Sequence, residues 1–390
     1  MSSTPANAYL ERLQRNLFAA TGEDPERLQE IGDKTMATVL GGATKVGFPD
    51  AEAIPKILQE EFARGLAMRP SRYEDPLTHM LMVRLADDLE KTAGTLGYEL
   101  PPRPVFGTLP LGQLNASAIA VPDSSEHLIV FQKGLFGFMN LLAKAVAASL
   151  PWVDEPEGGG VSFSTDVDKI REHLKSDSEP AARLADFVAS YVVEGDPHRS
   201  QQYFLGGPAM RLAEILRYGG ELFVLAHEYG HIVSGHLESD HRTEQVADET
   251  LTIVSEPWVK EHQADYIGMI LAVSTMHHEK DLDIAMAFGA VDLVFSAMAL
   301  VDAALGVVAV NDPEATARSD THPPAQLRQA MLREMLDRAL DDEAQVAAAR
   351  LFAETLDEIM QVLWDSIAPY LSELHARGVR PSPIWGIAPA

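Results

Sequence analysis

Apolar residues recur at three- and four-residue spacing along most of the chain, which is the period of a helix with one buried face. Residues 5–65 carry this pattern, with a turn expected around "GGATKVGFPD" at 41–50. The pattern returns over 76–98, 134–150, 167–176 and 179–194, and residues 209 to about 365 read as almost all helix. One region breaks the period. Residues 103–111 and 115–131 are β-branched and extended in pattern, with a turn signal at Pro122-Asp123-Ser124-Ser125. They predict a small sheet containing a hairpin and are the one good strand signal. Connections are expected at 195–208 and at 151–166, where Gly, Pro and acidic residues cluster as a boundary or lid. The fold class predicted is mainly α with a small β-sheet, and no internal repeat is visible.

The segment "LDIAMAFGAVDLVFSAMALVDAALGVVAV" (282–310) is long enough to span a bilayer. Asp283, Asp292 and Asp302 interrupt it, and an aspartate at mid-membrane is costly. No Lys/Arg cluster flanks it. The reading is therefore a buried helix, or a kinked pair of helices, in a soluble protein.

Charge narrows the partners. Over 390 residues, 31 Lys and Arg face 58 Asp and Glu, a net charge of −27. Such a surface repels nucleic acid and anionic membrane, so neither is an expected partner. The chain has no cysteine, which excludes disulfides, thiolate nucleophiles and thiolate zinc sites. Any metal must be held by His, Asp or Glu. The N-terminus shows no basic segment followed by an apolar one, so a cytoplasmic protein is expected.

Against that background "LAHEYGHIVSGHL" (225–237) stands out. On a helix, residues four apart share a face, so His227 and His231 can turn both imidazoles to one ion. Glu228, displaced around the helix, can reach a water on that ion, which is the HExxH arrangement. Alone the motif is only a moderate signal. A catalytic zinc wants three protein ligands and one open position. A third histidine six residues after the second is not available, because that place is Leu237, and Gly235 and His236 are one residue out of register. His236 reads as a helix-end residue. A later helix offers a better solution in "EPWVKEHQADYIGMILA" (256–272), where Glu261 and Asp265 again stand four apart. Glu261 is the expected third ligand, and Asp265 the expected partner for the second ring nitrogen of a ligand histidine.

Four stretches in this order resemble the gluzincin metallopeptidases that include the CAAX prenyl proteases and the heat-shock and Oma-type membrane peptidases. "NASAIAVPDSSEHLIVFQKGLF" (115–136) is similar to the family's Asn-Ala strand, its following strand and its Gly-Leu helix. "HEYGHIVSGH" (227–236) resembles its zinc helix, "EHQADYIG" (261–268) its glutamate helix, and "THPPAQLR" (321–328) its Thr-His-Pro segment with a following Arg. The resemblance implies a zincin-like core over 76–340 with an insertion at about 137–220. A helical extension at 1–75 and a C-terminal helix and tail at 341–390 have no counterpart in it. It also implies a substrate-side role for Asn115. Transmembrane helices, usual in that family, are the point of departure.

The expected activity is hydrolysis of peptide bonds in a protein or peptide substrate. One Zn2+ per chain activates a water, and Glu228 acts as general base. The strand at 115–121 offers an edge to extended substrate. His322, directed by the following two prolines, or else Arg328, would line the cleft and donate to the oxyanion without touching zinc. Two other readings stay open at this point: a non-catalytic regulatory or binding protein stabilised by zinc, and a membrane-associated protease.

Overall fold

A three-stranded sheet lies against a cluster of long helices in the computed structural model, which describes residues 4–21, 54–154, 161–238, 241–246, 249–254, 258–315 and 323–385. In chain order the elements are α1 (Pro5–Thr21), α2 (Ile54–Met68), α3 (Pro76–Thr95), β1 (Val105–Leu109), β2 (Ala116–Ala120) and β3 (His127–Gln132). There follow α4 (Lys133–Ala148), β4 (Trp152–Asp154), β5 (Val161–Phe163), α5 (Val167–Ser176), α6 (Glu179–Glu194) and α7 (Gly207–Val233). The chain continues through β6 (His241–Val246), β7 (Glu249–Val254), α8 (Trp258–Lys280), α9 (Ile284–Val310), α10 (Ala325–Ala339) and α11 (Glu343–Ala376). The protein is mainly helical, at 72%, as the spacing of apolar residues predicts. The turn expected at 41–50 lies outside the described residues.

The sheet has the order β1-β3-β2. β2 and β3 form the expected hairpin, and β1 runs parallel to β3 on its other side. Alternation along the strands sorts side chains to two faces. Phe106, Ala116, Ala118, Ile129 and Phe131 join the helical core. Leu109, Ile119, Val121, Leu128 and Val130 pack with Ala6, Tyr9, Leu10, Leu13 and Leu17 of α1. The N-terminal helix is thus the lid of the sheet's second face. The long helices α7, α8, α9 and α11 pack side by side, with α4 and α6 completing the core.

Two expectations are corrected. The loop read at 151–166 contains the β4–β5 ribbon, held on its core side by Trp152 packed edge-on against Phe163. The stretch from 209 onward is not continuous helix, because β6 and β7 form an antiparallel hairpin between α7 and α8. "ETLTIV" (249–254) alternates polar and apolar residues and is rich in β-branched ones, a strand signal that the surrounding helical period obscured.

The apolar segment at 282–310 is one continuous helix, α9, with a mean hydropathy of 2.3 over its most apolar window. By length and composition it could cross a membrane, but it is mostly buried among the other helices. Two of its aspartates have a local explanation. Asp283 caps the first turn by accepting the Ala285 N–H at 2.7 Å. Asp292 is fully buried and takes Nε and Nη2 of Arg333 at 2.8 and 2.6 Å, with Gln329 Nε2 at 2.9 Å. Asp302 is half-buried, and burial pushes its carboxyl up to about 6. Arg333 also reaches Asp357 at 2.8 Å, so one guanidinium ties α9, α10 and α11 together.

Another buried cluster fastens α1 to the sheet. Glu74 accepts from Thr108 N and Oγ1 at 2.8 and 2.7 Å and from Gln14 Nε2 at 2.6 Å. Burial raises its carboxyl from 4.5 to about 8, against the lowering effect of those hydrogen bonds. A raised carboxyl pKa means that the folded state holds its proton longer than the unfolded chain. The stability this confers is complete below the unfolded value and is lost as pH climbs through the folded one. We expect Glu74→Gln, which keeps the shape of the protonated acid, to gain on wild type in urea midpoint between pH 5 and pH 8. A constant difference across that window would clear Glu74 of the effect.

Candidate metal centre

The HExxH stretch occupies the last two turns of α7. From Gly219 to Ile232 this helix is buried on nearly every side, not only along one face as expected for an amphipathic helix. α4, α8, α9, α3 and β2 surround it. The helix ends where Gly235 turns into the left-handed region at φ +66, which a glycine adopts without strain.

Two glycines set the distance to α8. A Cβ placed on Gly268 would lie 2.9 Å from the His227 backbone nitrogen, and one on Gly230 would lie 3.0 Å from the Cα and carbonyl oxygen of Ala264. The helices therefore cross backbone to backbone. That contact brings Glu261, one turn before Asp265, against the two histidines.

His227 Nε2 and His231 Nε2 face each other at 3.0 Å. Glu261 Oε1 stands 3.5 Å from His231 Nε2, and Oε2 stands 3.9 Å from His227 Nε2. Three ligands about 2.0–2.2 Å from one tetrahedral ion are separated by roughly these distances. The three residues form a buried group that could hold a metal ion. Among the described residues it is the one such group of His, Asp and Glu.

The surrounding charges fit a dication. Asp265 Oδ1 lies 2.9 Å from His227 Nδ1, which turns the ring's other nitrogen toward Glu261. Arg328 reaches Asp265 with Nε and Nη2 at 2.8 and 2.6 Å and Glu261 with Nη1 at 3.1 Å. Its guanidinium lies 5.3 Å above the Phe295 ring. By formal charge Glu228, Glu261 and Asp265 bring three negatives and Arg328 one positive, so a single divalent cation balances the group. Burial would raise the Asp265 carboxyl, but Arg328 and His227 hold it down to about 2. Burial lowers His231, and the neighbouring His227 adds to this, so its ring stays neutral as a ligand requires. Burial also opposes charging of His227, yet Asp265 and Glu261 outweigh it and raise that ring.

Glu228 points elsewhere. Its Oε2 accepts the Ala118 N–H of β2 at 2.6 Å. Val121 and Gln132 donate across the hairpin to Glu126 and Asn115, so the odd-numbered residues of β2 pair with β3. Ala116, Ala118 and Ala120 then turn their N–H and C=O groups to the outer edge. This edge faces α7, and β7 runs beside it.

The structure thus brings together His227, Glu228, His231, Glu261, Asp265 and Arg328. It places Arg328 differently from expectation: the side chain is buried behind Glu261 and Asp265, engaged with both carboxylates, and is no free donor to a cleft. Asn115 sits exposed just before β2, with its carbonyl committed to Gln132 N. His322 lies outside the described residues. Sequence reading passed over Ala118 and took His236 for a helix-end residue only, whereas it is buried and in contact with His231 five residues away. Comparison with family models, curated proteins and solved structures finds no match.

The glycine contact makes a measurable demand. Gly268→Ala must push α8 away from the His227 backbone, and overpacking of this kind costs about 1–3 kcal/mol. We expect a lowered melting temperature and weaker metal uptake in the same variant. Unchanged metal affinity would show that the helix spacing is not what sets the ligand geometry.

Proposed function

We propose that this protein is a zinc-dependent endopeptidase of gluzincin type, with His227, His231 and Glu261 as ligands and Glu228 as general base. The observation that carries the reading is the position of Glu228. It follows a ligand directly, lies against an outward-facing strand edge and has no part in the ligand set. Two imidazoles and one carboxylate suit Zn2+ and leave a position open. When bound, zinc supplies Lewis-acid activation of water and stabilises negative charge on the substrate oxygen.

The chain's own residues do the rest. An extended peptide pairs with the outward backbone groups of Ala116 and Ala120, on either side of the N–H that Glu228 holds, with its scissile bond brought beside Glu228. The Glu228 carboxylate takes a proton from the attacking water and returns it to the leaving amine. The Ala118 N–H holds that carboxylate in place between the two transfers. Asp265 and Arg328 fix the His227 ring and the Glu261 carboxylate, so no ligand turns away during the reaction.

One observation favours a structural zinc instead. His227, Glu228, His231 and Glu261 are exposed by only 7, 6, 5 and 2%. A structural site, however, closes with four protein ligands and gives Glu228 no task. Two measurements decide between them. One zinc per chain is expected in the wild type, and a large loss of it in His231→Ala and Glu261→Ala; full stoichiometry in both would remove the ligand assignment. Glu228→Gln should keep zinc and fold but lose roughly 10²–10⁴-fold in peptide hydrolysis, the contribution of a positioned base. New N-termini mapped after exposing a proteome to wild type and variant provide the readout, and identical maps would favour the structural role.

A further inference from the structure

The two ligand histidines are supported unequally. His227 has the Asp265 carboxylate behind it. Behind His231 stands another imidazole. His236 follows Gly235 in a single 3-10 turn, His236–Glu238, and is 4% exposed. Its Nδ1 lies 3.0 Å from His231 Nδ1. Its Nε2 lies 3.2 Å from Oε1 of Gln263, an exposed residue of α8 two positions after Glu261.

Proton accounting gives this row a direction. A neutral imidazole carries one N–H and one lone pair. For His231 to ligate through Nε2, its proton must be on Nδ1, from which it is donated to His236 Nδ1. The His236 proton must then be on Nε2, from which it is donated to Gln263 Oε1. The reverse order puts a proton on His231 Nε2, aimed at His227 and into the ligand position. With its amide oxygen turned to His236, Gln263 matches the one arrangement that leaves the His231 lone pair bare.

We infer that His236 and Gln263 are positioning residues that fix the tautomer and ring orientation of His231 for metal ligation. The inference rests on the metal-centre reading and adds a control to it: a side chain at the surface governs a buried ligand. Both residues reach the centre through hydrogen bonds alone. Asp265, by contrast, is anchored by Arg328 in the interior, so the His231 side is the adjustable one.

Partners of this kind contribute roughly 10–100-fold to metal affinity. The test measures Zn2+ affinity by chelator competition, with melting of the metal-free protein as the check on fold. His236→Ala should bind 10–100-fold more weakly. His236→Asn, whose amide oxygen falls near the lost Nδ1, should recover most of that loss. Gln263→Lys, an exposed change that offers only donors, should weaken binding without lowering the melting temperature. Wild-type affinity in both His236→Ala and Gln263→Lys would overturn the inference. A separate readout is the ¹⁵N shift of the His231 ring in metal-free protein. A protonated Nδ1 supports the relay and a protonated Nε2 overturns it, even if wild type takes up no zinc and the metal-centre reading itself fails.

Discussion

The centre depends on the contact between α7 and α8. Two helices carrying full-sized side chains at the crossing pack about 8–10 Å apart. Gly230 and Gly268 remove the side chains that would enforce that gap, and Ala264 completes the seam. Only then does a carboxylate on one helix lie within ligand distance of two imidazoles on the other. The cost is burial of three carboxylates and two histidines in a helix core, which is unfavourable unless each group is paired. Arg328 supplies the pairing from a third helix, and Phe295 and Phe223 pack around the guanidinium side of the site. The same logic recurs at Asp292 with Arg333, where charge is again placed in the core and again neutralised by a guanidinium from α10.

The sheet matters through its edge. β3 is satisfied on both sides by β1 and β2, and its faces are covered by α1 and the helical core. β1 and β2 are the two edges, and at the β2 edge Glu228 takes the central N–H. Alanines at 116, 118 and 120 keep that strand slim where α7 comes close. A carboxylate fixed by backbone rather than by another side chain depends on one less rotamer. The hydrogen bond joins β2 to α7 across 110 residues of chain.

How much of this is legible in the sequence follows from how local each interaction is. His227 with His231, and Glu261 with Asp265, are helix-period pairs, so their shared faces can be read from spacing alone. The mainly helical class and the β2–β3 hairpin are likewise local, set by period and turn residues. The parallel pairing of β1 with β3 is not, because nothing in either strand names its neighbour. The β6–β7 hairpin was visible in alternation but lay inside a long helical stretch. Arg328 was read as a cleft residue because its sequence neighbours, His322 and two prolines, suggest a loop. Its actual partners are 63 and 67 residues away in sequence, on α8. His236 was close enough to read, but its value depends on Gln263, which arrives only when α8 docks.

That docking has a consequence for synthesis. A chain emerging from its N-terminus carries the strand edge first, then the histidines and Glu228, then Glu261, and only much later Arg328. Until Arg328 is made, the centre holds an excess of negative charge that opposes closure of α8 on α7. Arg328 itself lies in the first turn of α10, which is anchored through Arg333 to α9 and α11. The charge balance of the group therefore completes only once the chain has been made through α10. A half-made chain bearing the HExxH sequence has the letters of the site but lacks the guanidinium that balances its carboxylates.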